Sequence, residues 1–386
     1  MKILILAPHP FYQERGTPIA VDLLIRALSE RGDEIHLLTF NEGIDRPHNN
    51  LTVHRINPIP TISGLKPGFS AKKIYCDIFL FLKFIKLMCC NKYDMVHAVE
   101  ESAFMALIIC PFRSTPFVYD IDSSMTTQLV DKFAILKPVR GLLRFMESLP
   151  MRYAKAVVPM CDALAEEAAL YRDKNIILLK DVSLIGDSEA ESTASDLRAD
   201  LNIQGKLLMY IGNLESYQGI DLLLESFALI GEKKPDANLV IIGGSEKDIE
   251  RYKAMTKSLT IEDKVHIIGP RPVGQIGQYM SQADILVSPR TQGANTPMKV
   301  YSYLDSGVAV LATRMSTHTQ VMNDDMAMLA EPDPQSYAQA MQTLLADDAL
   351  CKKLAAEARA TMQREHSYET FKKRVHGLYD VLETAS

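Results

Sequence analysis

The chain has 386 residues, too many for one ordinary hydrophobic core and suited to two domains. Apolar residues make up 47% and charged residues 23%, the balance of a soluble globular protein. A formal net charge of −6 argues against a nucleic-acid binder, whose surface must neutralise phosphates, but leaves room for a local basic patch.

In chain order, apolar runs of strand length alternate with amphipathic stretches of helix length. The first half reads KILILAP, EIHLLTF, LTVHRIN, DMVHAV, PFVYDI, AVVPM and NIILLKD. The second half reads KLLMYIGN, ANLVIIGG, VHIIGP, ADILVSPR and VAVLAT. Near-continuous apolar strands separated by helices indicate parallel sheets covered on both faces, hence an α/β fold with two Rossmann-like domains. The polar, acidic stretch GDSEAESTASDLRAD (186–200) reads as the linker. The first domain is expected over 1–185 and the second over 200–366, with a helical stretch at 367–386. The opening residues do not read as a signal peptide, and no run reaches about 18 apolar residues, so no spanning helix is expected. The six cysteines show no CxxC pair or metal-ligand spacing and sit in apolar stretches. Free buried thiols in a reducing, cytoplasmic compartment are the expectation.

Doubly wound sheets bind ligands outside the carboxyl ends of their strands, so candidate residues should follow strands. In the first half these are His9, then Arg15, Gly16 and Thr17 in ERGTP, with Thr17 placed to cap a helix begun by Pro18. His97, Glu100 and Glu101 follow the fourth strand, on the acceptor side, and His97 reads equally as a satisfied buried histidine. Asp120, Asp122, Ser123 and Ser124 follow the fifth, where Asp122 either contacts a sugar or caps the next helix.

In the second half, the loop SPRTQGANTPMK carries Arg290, Ala294, Asn295, Thr296, Pro297, Met298 and Lys299. Thr296 reads as N-cap and Pro297 as first helical residue, which makes an anion site of free amides. Lys299 in that first turn opposes the helix dipole and makes sense beside a bound phosphate; otherwise it is a solvated lysine on an ordinary helix. Gly212, Gly243, Gly244, Gly269, Pro270 and Arg271 form turns after other strands.

Three stretches in order, the opening MKILILAPHPFYQERGTPIA, then KLLMYIGNLESYQGIDLLLESF, then SPR…NTPMKVYSYL…G, resemble the family-4 retaining glycosyltransferases of the GT-B fold. The resemblance covers nearly the whole chain and is strongest over 206–322. It implies two Rossmann-like domains facing a cleft, with the last helix crossing back to the first domain. It also implies transfer of a sugar from a nucleotide-diphospho-sugar donor to a glycan, lipid-linked or small-molecule acceptor, with retention and without metal or other cofactor. The loop at Gly16 would approach the donor phosphates or the acceptor, the loop at Gly269–Arg271 would hold the nucleobase, Gly243 and Gly244 would leave space near the nucleotide or simply turn, and Asn295 and Thr296 would contact sugar hydroxyls. The family's diphosphate-binding Arg and Lys align with Asn213 and Gln218, so two cations are missing where leaving-group stabilisation is electrostatic. Arg290, Lys299 and Arg314 are the available replacements. The family's paired glutamates fall near Ala294 and at Ser302, and a common histidine falls at Asp122. These departures keep a non-catalytic GT-B scaffold or partner protein as the alternative.

Residues 66–92 combine Phe79, Leu80, Phe81, Leu82, Phe84, Ile85 and Leu87 with Lys72, Lys73, Lys83 and Lys86, and residues 138–155 add further basic groups. Such stretches are either core helices with a solvated lysine face or peripheral contacts with the inner face of a membrane.

Overall fold

A computed structural model describes all residues except 14–15, 58–63, 66–69, 186–193, 232–235, 294 and 385–386, and of residue 131 only the backbone. The expectations at Arg15, at Ala294, at the start of the 66–92 stretch and through most of the linker fall outside the described residues. The chain divides into two compact units. One comprises Met1–Asp181 with Phe371–Ser386, the other Val182–Thr370.

The first unit has six parallel strands: β1 (Lys2–Ala7), β2 (Glu34–Thr39), β3 (Leu51–Arg55), β4 (Met95–Val99), β5 (Phe117–Ile121) and β6 (Ala156–Pro159). Their order is β3-β2-β1-β4-β5-β6, so the sheet reverses direction between β1 and β4. Its helices are α1 (Gly16–Arg31), α2 (Ala71–Cys90), α3 (Ser102–Ile109), α4 (Met125–Lys132), α5 (Arg140–Tyr153) and α6 (Asp162–Ala169). Leu80 and Phe84 of α2, Ala103 and Ala106 of α3, Met151 of α5 and Leu164 of α6 share one core with Leu4, Leu6 and Val96. These four helices therefore cover the same face of the sheet, as right-handed crossovers from β3 onward require.

Helix α2 buries Cys76, Leu80, Phe84, Leu87 and Met88 and exposes Ile74, Tyr75, Ile78 and Leu82 on the opposite side. It is a core helix whose outer face is apolar as well as basic. Of the six free cysteines, Cys76, Cys110 and Cys161 are buried, Cys351 is intermediate, and Cys89 and Cys90 at the end of α2 are exposed, contrary to the expectation of buried thiols throughout. The stretch NIILLKD is not a seventh strand. Asn175 takes a left-handed conformation (φ 59°), and the chain beyond it runs beside β6 with one bridge, Ile176 to Val157, and a further bond from the Leu179 amide to the Pro159 carbonyl at 3.0 Å, where Pro159 has no N–H to extend a ladder.

The second unit opens with α7 (Leu197–Asp200), whose N-terminal amides at Arg198 and Ala199 bond the Asp196 carboxylate at 3.0 and 3.2 Å. Its strands are β7 (Leu207–Ile211), β8 (Asn238–Ile242), β9 (Val265–Gly269), β10 (Ile285–Ser288), β11 (Ala309–Thr313) and β12 (Met328–Ala330). They pair in parallel in the order β12-β11-β10-β7-β8-β9, with the reversal between β7 and β10. Every residue of β7, β8, β10 and β11 is buried, because helices cover both faces. At three residues, β12 was too short to announce itself by periodicity. The helices are α8 (Ile220–Ile230), α9 (Glu246–Ser258), α10 (Ile276–Met280), α11 (Lys299–Asp305), α12 (Ser316–Thr319), α13 (Pro334–Ala346) and α14 (Asp348–Glu365).

The last helix, α15 (Tyr368–Thr384), belongs to the first unit from Phe371 onward. Arg31 pairs with Asp380 at 2.9 Å and with Glu383, and His376 Nε2 lies 2.8 Å from the Ala27 carbonyl.

Candidate functional site

In the second unit the loops after β7 and β10 leave the sheet side by side at its reversal, the position where parallel sheets form ligand crevices. Gly219 ties them together. Its φ is +74°, and a Cβ there would run into the Pro289 carbonyl, so only glycine fits. The Thr291 amide then donates to the Tyr217 carbonyl at 3.0 Å. This seats the Arg290 guanidinium 5.2 Å from the Tyr217 ring centroid, with Nε donating to the Gln292 carbonyl at 2.7 Å.

Lys299 enters from α11. Its ammonium stands 3.8 Å from the Tyr210 ring centroid and donates to Gln218 Oε1 at 3.3 Å. Gly212 leaves room for it, since a Cβ at Gly212 would lie 3.1 Å from Lys299 Nζ. The Tyr210 hydroxyl donates to the Asn213 carbonyl at 2.6 Å, and Asn213 Nδ2 donates to the Tyr217 hydroxyl at 3.4 Å. Gly212, Asn213, Gln218, Arg290 and Lys299 are thus brought together, with Tyr210 and Tyr217 as aromatic supports.

Among the described residues, neither Arg290 nor Lys299 has a carboxylate within ion-pairing distance. Burial, and then the charge of Arg290, pushes the Lys299 ammonium well below its ordinary range. Burial also lowers Arg290, opposed by Tyr217 and Tyr210. Two adjacent half-buried cations without a counter-charge among the described residues are costly unless an anion completes them. Beneath them, burial lowers His318 to about 4. The neutral ring bonds the Thr313 carbonyl through Nδ1 at 2.8 Å and meets Ser288 Oγ through Nε2 at 2.9 Å.

Several expected roles change. Helix α11 starts at Lys299, with Met298 as cap and no side-chain capping bond. The entry is a tight turn, with amides of Val300 and Tyr301 bonded to carbonyls of Pro297 and Met298 at 2.9 and 3.2 Å, which moves the cap past Thr296. Thr296 is 4% exposed and its hydroxyl has no partner among the described residues. Asn295, Pro297 and Met298 are half-buried in the same loop. The buried Ser302 hydroxyl accepts from the Leu184 amide at 3.1 Å. Arg314 pairs with Asp324 at 2.6 Å and Glu331 at 3.7 Å and is not a replacement cation. Gly243 and Gly269 both take positive φ and are joined by a 2.9 Å backbone bond. Beyond Pro270, Arg271 bonds the carbonyls of Ile268 and Pro270 at 2.8 and 3.1 Å.

In the first unit the carboxyl edge of the sheet is acidic. His97 is fully buried between the Tyr379 hydroxyl (2.8 Å from Nδ1) and Asp120 (3.1 Å from Nε2), the satisfied core histidine. Glu101 pairs with Lys73 of α2. Helix α1 begins at Gly16, one residue before Thr17, and Thr17 hydrogen-bonds the Asp122 carboxyl. Asp122 does not cap α4. Ser124 does, together with the buried Glu147, which accepts from the Met125 amide at 2.7 Å. Burial, then Asp120 and Asp181, raises Asp122 well above the carboxylate range. Burial, then Asp122 and Glu101, does the same to Glu100. Glu100 also accepts from Ser123 Oγ at 2.9 and 3.1 Å. Glu100, expected with His97 and Glu101 after the fourth strand, has a positive φ of 52°. Among the described residues no group of three His, Cys, Asp or Glu is arranged to hold a metal.

Residues 194–361 match the family described as glycosyl transferases group 1. The second unit carries a group 1 glycosyl transferase domain. Over 381 residues, 94% of this chain and 93% of the relative, the chain is 22% identical to a phosphatidyl-myo-inositol mannosyltransferase of Mycobacterium tuberculosis. Other curated relatives align with the domain-bearing chain over only 35%, 31% and 42% of their own lengths. Among solved structures, sucrose-phosphate synthase from Thermosynechococcus elongatus superposes with a TM-score of 0.77, at 20% identity and 100% coverage of both chains. The HepE protein of Anabaena, solved with UDP, gives 0.75 at 16% identity, covering 99% of this chain and 100% of its own. These likenesses place the chain in the GT-B fold class, with a Rossmann-like α/β architecture in each unit.

Proposed function

We propose that the chain is a retaining glycosyltransferase that moves a sugar from a nucleotide-diphospho-sugar to a glycan, lipid-linked or small-molecule acceptor without a metal ion. The observation that carries this reading is the half-buried pair Arg290 and Lys299, brought together at the sheet reversal of a group 1 domain and lacking carboxylate partners among the described residues. A nucleoside diphosphate supplies the missing negative charge.

In the reaction the bond from the sugar C1 to the diphosphate oxygen breaks and a bond from the acceptor oxygen to C1 forms on the same face. The acceptor proton passes to the departing diphosphate. Arg290 and Lys299 meet the charge that grows on that leaving group, and Asn213 and Gln218 add neutral donors where the family resemblance expects cations. Asp122, whose carboxyl is raised by burial and then by Asp120 and Asp181, contacts a sugar hydroxyl or the developing oxocarbenium.

The test is turnover of UDP-, GDP- and ADP-sugars with an acceptor mixture that includes lipid-linked glycans. Transfer from one donor, lost when Arg290 and Lys299 are both made Ala, is the expected result. Binding of a nucleotide without turnover across the panel would instead support the non-catalytic scaffold. Undiminished turnover in the double variant would overturn the role given to the two cations.

A further inference from the structure

One surface of the first unit has no part in that chemistry. From the end of α4 into α5 the chain runs KFAILKPVRGLLRFM, residues 132–146. It holds four cations, Lys132, Lys137, Arg140 and Arg144, and no Asp or Glu, in a chain whose net charge is −6. Its apolar side chains face solvent: Ile135 is 85% exposed, Leu142 60% and Phe145 55%, with Phe133, Val139 and Met146 also exposed.

Helix α5 explains the arrangement. Glu147, Ser148, Pro150 and Met151 turn inward and are buried, while its first two turns project outward. Two acids border the segment in sequence, Asp131 on α4 and Glu147 on α5, and Glu147 is occupied by the α4 amides. Glu167 on α6 is the carboxylate that feels Arg144 and Arg140, and it offsets only part of the charge. Helix α2, packed into the same core, also exposes apolar residues, Ile74, Ile78 and Leu82.

We infer that this face docks on an anionic lipid bilayer. Cations interleaved with single apolar side chains suit a bilayer interface, where the apolar groups enter the acyl boundary and lysine and arginine reach back to the headgroups. A protein partner would have to be acidic and greasy over the same wide area. A nucleic acid would leave Ile135, Leu142 and Phe145 in water.

The test is flotation of the full chain with vesicles of phosphatidylcholine alone or mixed with phosphatidylglycerol. Binding is expected to the anionic vesicles only, weakening as salt rises. Substituting Lys137→Ser with Arg140→Ser should weaken it roughly 30-fold. Ile135→Ser with Phe145→Ser should abolish it, with circular dichroism and nucleotide affinity unchanged. The sequence has no tryptophan. Phe145→Trp therefore supplies a single indole, whose emission should shift to the blue on anionic vesicles and be quenched by brominated acyl chains. No binding at low salt, variants that bind like the parent, or an unshifted indole would each overturn the proposal. So would a dimer that the Ile135/Phe145 variant disrupts while vesicles capture nothing, because it would assign the face to a second copy.

Discussion

The ammonium of Lys299 sits 3.8 Å from the centroid of the Tyr210 ring. The ring's negative face is the strongest compensation this cation receives from its own unit, alongside one long bond to Gln218. The arrangement keeps a lysine in place without a carboxylate to neutralise it. An incoming anion therefore does not have to displace a protein partner.

A first prediction concerns protons. Burial and Arg290 hold Lys299 below its ordinary range, and a bound diphosphate would raise it again. Nucleoside diphosphate binding should take up protons, and affinity should fall as pH rises through the depressed value. Calorimetry in buffers of different ionisation enthalpy measures the uptake. Lys299→Ala should remove the uptake and weaken binding about tenfold, or ~1.4 kcal/mol. Equal affinity and proton uptake in the variant would remove Lys299 from the site.

Gly219→Ala tests the junction between the two loops. The added methyl meets the Pro289 carbonyl and the residue must hold φ +74°. A loss of about 2 kcal/mol in urea denaturation is expected, together with weaker diphosphate binding as Arg290 shifts from Tyr217. A variant as stable as the parent would show that the loops are not locked at this point.

Transfer should survive EDTA, since Arg290 and Lys299 supply two positive charges where the leaving group develops its own. Loss of activity in EDTA, restored by manganese or magnesium, would assign that task to a metal.

The acidic edge of the first unit sets a pH dependence of stability. Burial, then Asp120, raises Asp181 to about 7. A carboxyl raised in the folded state contributes stability that is full below its unfolded value and is lost as pH rises through the folded one. The window therefore runs from about 4 to about 7. Asp181→Asn should stabilise the protein by on the order of 2 kcal/mol at pH 8 and by almost nothing near pH 4. Urea midpoints at the two pH values give the comparison, and a gain independent of pH would rule out the titration.

The fold was legible where burial is uniform. LLMYI, NLVII and AVLAT are apolar throughout because helices cover both faces of their sheet. β12 was not, because three residues show no period, and NIILLKD forms no full strand because it runs beside β6 only as far as Pro159, which has no N–H to extend the ladder. At the candidate site, Arg290 and Lys299 stood out by following a strand and opening a helix. Tyr210 did not, since an aromatic residue in an apolar strand looks like core until a lysine is found over its ring. The start of α11 was misplaced because Thr-Pro reads as a cap locally, whereas the chain enters by an i→i+3 turn.

The assignment of Phe371–Ser386 to the first unit affects how the chain acquires its structure during synthesis. The second unit is drawn from one unbroken segment, Val182–Thr370, and has all its residues once that segment has emerged. The first unit, although most of it is translated earlier, waits for Phe371–Ser386. Until Tyr379 appears, His97 lacks the hydroxyl at its Nδ1, and Arg31 lacks Asp380 and Glu383. The domain that starts first on the ribosome is thus the last to be completed, and a transcript stopped before residue 371 would release a finished second unit attached to an unfinished first.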